Sequence, residues 1–291
     1  MKKFGTVALS LALAASLTVP AFAADGLLIS PAPAGDAEVM PISAPLTGGY
    51  AAKLVLNGSE LDSSAIPAAV SPDMVPLRLV AESDHGSASW FEEENQGFFY
   101  LGDARIIVNF ADNTILVNDA PVEGLAEVVS GVTFIPAGVL NLVEGFEVAA
   151  DGDSLTITTP NNDPIIKLAY SIMDASGIYA GMKSDISVFA ENFSLAEGTF
   201  EKGFMFTGFN TTPDRLLVAK LADGADVDAV KEAIETDRQA QEDTFSWYLA
   251  HNLPKVEAAQ VVVNGDYVLY VIGETAEKGV ELFNDFVEAQ K

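Results

Sequence analysis

The sequence contains no cysteine. Disulfide staples, thiol nucleophiles and thiolate metal sites are therefore excluded. Histidine is almost as scarce: His85 and His251 are the only two in 291 residues, too few and too far apart for a zinc or copper centre. Positive charge is short as well, with 15 Lys and Arg against 42 Asp and Glu and a formal net charge of −27. A surface of that sign repels nucleic acid and anionic lipid, so no nucleic-acid partner is expected. The acids are scattered, and only Glu92-Glu93-Glu94 forms a run, which is the pattern of a solvated surface and not of an acidic tail.

Catalytic signatures are missing too. There is no G-x-S-x-G elbow, no S-x-x-K with its companion motifs, no H-E-x-x-H and no glycine-rich phosphate loop after a strand. Asp223, Asp226 and Asp228 in LADGADVDAV lack the twelve-residue calcium loop with its terminal glutamate, and helix capping explains them better. No catalytic residue, cofactor site or metal ligand is assigned. Because 42 acids allow many pairs, a carboxylate-based hydrolase acting on cell-wall polymer stays open as an alternative.

What is present begins with MKKFGTVALSLALAASLTVPAFAADG. Two lysines, an apolar run too short to span a bilayer comfortably, and Ala21-Phe22-Ala23 make up the three parts of a secretory signal peptide. Residues 1–23 are expected to be removed near Ala23-Ala24, leaving 13 basic residues against 42 acidic and a charge of −29. No later run approaches a membrane span. Export without disulfides suits a bacterial protein, secreted or held at the cell surface. Residues 24–49, which include SPAPAGDAEVMPISAPLTGG, read as a Pro/Ala/Gly-rich linker.

From 50 to 160 the signals are those of strands and tight turns: Asn57-Gly58, Gly102-Asp103, Asn118-Asp119 and Asp151-Gly152-Asp153. The region contains a repeat. LVLNGSEL followed by MVPLRLVAE and SASW is echoed by ILVNDAPV followed by VTFIPAGVL and GFEV. Such a duplication usually buries a shared face. Pro76 and Pro136 correspond, Gly138 stands where the first copy has Arg78, and Trp90 falls opposite Val148. Arg78 is read as architectural, pairing with Glu82 at i+4 and orienting the turn. Phe91, Phe98, Phe99 and Tyr100 around Trp90, and Trp247-Tyr248 further on, are read as core.

From 161 to 291 the period changes. Ile165, Ile166, Leu168, Ala169, Ile172 and Met173 recur at helical spacing, and a hairpin-like pair GFMFTGF and DRLLVAKL follows. A long amphipathic helix carrying Val227, Val230, Ile234, Phe245 and Tyr248 comes next, capped by Asp226 or Asp228, with His251 at its C-terminal end. VVVNGDYVLYVIG is a second hairpin, and a helix capped by Thr275 closes the chain. The fold class expected is α+β: a β-rich N-terminal domain built on a repeat, then a small sandwich with helices on one face of an antiparallel sheet.

LVLNGSEL, MVPLRLVAE and SASW, with their echoes, resemble the copper amine oxidase N-terminal-like (stalk) domain over about 53–159. That resemblance implies a small antiparallel sheet wrapped around a helix, used as a non-catalytic spacer or attachment module. It does not imply copper, since nothing here resembles the oxidase's histidine-rich catalytic domain. GMKSDISVF, the long acidic helix and VVVNGDYVLYVIG resemble an uncharacterised family of exported bacterial proteins of low-GC Gram-positive type. The function expected is an exported, non-enzymatic accessory protein that meets a protein or cell-wall polymer in the envelope. Self-association through β edges is the structural alternative.

Overall fold

The structure is a computed structural model that describes residues 38–44, 53–69, 71 and 73–291. The expected signal peptide, and the linker up to residue 37, lie outside the described residues. Among those described, no helix is long and apolar enough to cross a membrane. The chain is mixed α+β, β-rich at its N-terminal end.

The first unit runs through β1 (Lys53–Leu56), β2 (Ser59–Glu60), β3 (Met74–Pro76), α1 (Leu77–Ser83), β4 (Ser87–Phe91), β5 (Gln96–Leu101) and β6 (Ala104–Asn109). It continues with β7 (Thr114–Val117), β8 (Ala120–Pro121), β9 (Glu127–Val129), β10 (Val132–Pro136), a 3-10 helix (Ala137–Leu142), β11 (Glu147–Asp151) and β12 (Ser154–Thr158). The duplication seen in the sequence is a pairing in space. β3 and β10, which carry the corresponding prolines, run antiparallel with Val75 opposite Ile135. Around them, each copy's first hairpin joins the other copy's last strands. The order β11-β12-β1-β2 forms one sheet and β4-β5-β6-β7-β8 the other. β1 lies parallel to β12, and β5 and β7 are parallel to each other across the inserted β6. One core fills the middle, with Leu77, Val80, Leu101, Ile106, Ile135, Leu140, Leu155 and Ile157 fully buried from both copies.

Residues 38–44 are not a free linker. Met40 bridges to Val122 in parallel, its N–H donating to the Pro121 carbonyl at 2.9 Å, and Met40 and Ile42 pack on the core. The chain then crosses directly over Gly138. A Cβ there would come within 1.9 Å of the Ser43 carbonyl oxygen. The second copy has glycine in the arginine's place because the chain's own N-terminal segment occupies the space.

The second unit contains α2 (Pro164–Ser176), β13 (Gly181–Ser184), α3 (Ile186–Asn192), β14 (Phe200–Gly208), β15 (Arg215–Leu221), α4 (Val227–Phe245), α5 (Leu253–Glu257), β16 (Gln260–Asn264), β17 (Tyr267–Ile272) and α6 (Ala276–Ala289). Its antiparallel sheet has the order β13-β14-β15-β17-β16. The expectation of helices on one face is corrected here. α2 and α6 cover one face through Ile172 and Phe283, while α3, α4 and α5 cover the other through Phe189, Ile234 and Val256. The unbroken apolar runs LLVA and VLYVI carry the reason, because a strand buried on both faces does not alternate. Leu216, Leu217, Val218, Ala219 and all of 268–272 are fully buried. α4 stops at Phe245, so Tyr248 lies beyond it, and His251 sits in a separate 3-10 turn (Ala250–Asn252) instead of at the helix end. Asp226 caps α4, accepting from the N–H groups of Asp228 and Ala229. Thr275 precedes α6 but does not cap it; its hydroxyl donates to the Ala175 carbonyl at 2.6 Å and ties α6 to α2.

Gly138→Ala should cost about 1–3 kcal/mol, the usual penalty of overpacking. Urea denaturation measures the loss, and limited proteolysis should show residues 38–44 becoming cleavable.

Candidate functional site

α1 is seven residues long and is held by its buried side, Leu77, Val80 and Ala81. Its other side faces an open groove of about 800 Å³. One wall is aromatic, with Trp90 from β4, Phe99 from β5 and Phe110 beyond β6; the other is Pro76 with Arg78, Leu79 and Glu82 of α1. Val132 and Thr133 of β10 contribute as well, and the size lies within the range of small-ligand clefts, about 300–1,000 Å³. Four of the five motif residues named from the sequence, Pro76, Arg78, Glu82 and Trp90, therefore line one concavity. Pro136 lies with the other copy, its ring beside Gly124.

Trp90 is not core. It is 50% exposed, and its ring rests on Phe110 at 4.9 Å and 59°. Phe98 and Phe99 are buried, whereas Tyr100, on the same side of its strand as Phe98, is exposed. Arg78 and Glu82 approach to 3.9 Å with both side chains more than half exposed. Such a pair contributes at most about 1 kcal/mol, so it does little to fix the helix.

The end of α1 does something different. Asp84 is 3% exposed. Its Oδ1 accepts from Asn57 Nδ2 at 3.0 Å and Thr159 Oγ1 at 2.8 Å, and its backbone carbonyl accepts from Asn161 Nδ2 at 2.8 Å. Asn57 also accepts the Thr159 N–H at 2.9 Å. Lys167 of α2 donates to the Asn57 carbonyl at 2.9 Å. Next along the chain, His85 adopts φ +61° and stacks on Tyr170 of α2, with ring centroids 3.5 Å apart and planes 6° from parallel. Tyr170 in turn meets Phe204 edge-on at 5.2 Å, inside the second unit. The β1–β2 turn, the end of α1, the end of β12 and the start of α2 are thus fastened at one point.

Burial pushes the Asp84 carboxyl above its ordinary value, and the hydrogen bonds from Thr159, Asn161 and Asn57 only partly offset it. Oδ2 is buried and has no hydrogen-bond partner. Burial also lowers the His85 pKa and pushes the Tyr170 hydroxyl up to about 12. A carboxylate catalyst would need access to a substrate. Asp84, a carboxyl group displaced upward, is enclosed by amides and a hydroxyl.

In the second unit Lys255 bridges Asp214 at 3.0 Å and Glu274 at 2.6 Å, and Arg215 meets Asp237 at 3.4 Å. The Tyr270 hydroxyl donates to Asp237 at 2.9 Å. These contacts tie α4 and α5 to the ends of β15 and β17. Trp247 and Tyr248, expected in the core, are 78% and 42% exposed.

Residues 55–159 match the family model of the copper amine oxidase N-terminal domain, and residues 175–273 match that of a domain of unknown function, DUF4358. The chain joins these two modules in that order. No curated protein matches it. The region that matches the copper amine oxidase N-terminal model does not fit a copper ion. His85 is stacked on Tyr170, His251 belongs to the DUF4358 region of the chain, and no group of three His, Asp or Glu with metal-binding geometry occurs among the described residues. The two matches suggest a non-catalytic accessory domain.

The residues at the junction were not singled out from sequence. Asn57 is visible only as a turn residue and Asp84 only as part of SDHGS, because their partners lie 102 and 75 residues away.

Asp84→Ala should destabilise the chain by about 1–3 kcal/mol for each donor left without an acceptor, read by urea denaturation. Asp84→Asn keeps the acceptor and cannot titrate. The folded pKa is raised, so its contribution is fully present below the ordinary value of 3.8 and is lost as pH rises through the folded value. The stability of the wild type relative to Asp84→Asn should therefore fall as pH rises from about 3 to 7.

Proposed function

We propose that this is an exported, non-enzymatic accessory protein of the bacterial cell surface or envelope. Its copper amine oxidase N-terminal domain would grip an envelope component, with the DUF4358 domain fixed behind it. The groove on α1 carries this reading: a half-exposed tryptophan packed on Phe110 shares it with an arginine and a glutamate that have little structural duty. The signal-peptide pattern of residues 1–23 supports export. The net charge of −27 favours a soluble surface protein that avoids nucleic acid and anionic lipid.

Expression in a Gram-positive host followed by fractionation tests the proposal. The chain should be recovered outside the cytoplasmic membrane with Ala24 as its first residue, and should sediment with purified cell walls. Recovery in the cytosol with residues 1–23 intact, or no retention on walls, would contradict it.

A further inference from the structure

We infer that the groove on α1 binds a neutral, extended polysaccharide. This deepens the proposal above and rests on the groove being the gripping surface. The inference comes from what the groove offers. The indole of Trp90 is half exposed and packs against Phe110, with ring centroids 4.9 Å apart. An aromatic face carries partial negative charge and attracts the weakly positive C–H bonds that cover one face of a pyranose ring. A sugar has hydroxyls around its edge, and these need both donors and acceptors. Arg78 supplies only donors and Glu82 only acceptors. Among the described residues each has only the other as an ionic partner, at 3.9 Å and in water, so opening that pair loses little.

Charge decides between ligand classes. The Arg78–Glu82 pair sums to zero, so the groove asks for no charge on its ligand. The chain around it carries −27, which disfavours an anionic polymer by long-range repulsion. A strongly cationic ligand would have to face Arg78. A neutral saccharide meets both conditions while presenting an apolar face and a polar rim. A proline-rich peptide is the competing occupant, since aromatic-lined grooves also take such segments.

The test uses the full chain carrying Trp247→Phe, which leaves Trp90 as the only tryptophan. Chitohexaose and cellohexaose are titrated while Trp90 emission is followed, with oligogalacturonate and decaproline as the anionic and peptide comparators. At least one neutral oligosaccharide should shift and saturate the emission. Trp90→Ala, followed by calorimetry, should weaken its binding at least tenfold, and Arg78→Gln severalfold, with circular dichroism unchanged in both. Saturable binding confined to decaproline or oligogalacturonate would overturn the inference. So would no binding of either neutral sugar, or binding that Trp90→Ala leaves intact. Retention on cell walls without oligosaccharide binding would overturn this inference alone and leave the envelope reading standing.

Discussion

The end of α1, built around the buried carboxyl group of Asp84, is the point at which the two units of this protein are fastened. Asp84 collects the side chains of Asn57 and Thr159, and Asn161 closes on its carbonyl. Those residues come from the first hairpin of the N-terminal domain and from the passage into the next. Removing such an acceptor from a dry site leaves its donors unpaired, which is why a few atoms there outweigh several surface ion pairs. The adjacent His85–Tyr170 stack extends the fastening into the second core. α1 is therefore double-ended in function. Its outer side lines the groove with Arg78, Leu79 and Glu82, and its last turn leads into the junction.

The internal duplication explains how so short a helix can be so well placed. The two copies pair through β3 and β10 and exchange their outer hairpins, so one core serves both. The copies then diverged around one position. Where Gly138 stands, the chain's own Ser43 passes overhead; where Arg78 stands, the surface stays open and aromatic. One copy is closed by the N-terminal segment and the other is left to face solvent.

Much of this could be read from the sequence. The tight turns were marked by Asn-Gly, Gly-Asp and Asn-Asp pairs, whose left-handed conformations the structure shows at Asn57, Gly58, Gly102, Asn118 and Asp119. The repeat was legible because its prolines and apolar positions survive. What escaped was anything dependent on distant partners. That Trp90 would be exposed could not be seen, because a strand residue's facing depends on what lies across it. Nor could the two-sided burial of β15 and β17 be weighed fully, although their unbroken apolar runs already departed from the alternation of a half-covered sheet. The exposed pair Trp247-Tyr248 was drawn into the core by its helical spacing from Phe245, when the helix in fact ends there.

The rigid junction is tested most directly by a distance distribution between the two domains. The absence of cysteine makes this clean, because Glu93→Cys and Glu288→Cys would carry the only two thiols, both at exposed positions. Double electron–electron resonance on the spin-labelled pair should give one narrow distribution, broadening when Asp84→Ala is added. A broad distribution in the protein with Asp84 intact, or one that Asp84→Ala leaves equally narrow, would contradict the claim that the junction built around this carboxyl holds the two units together.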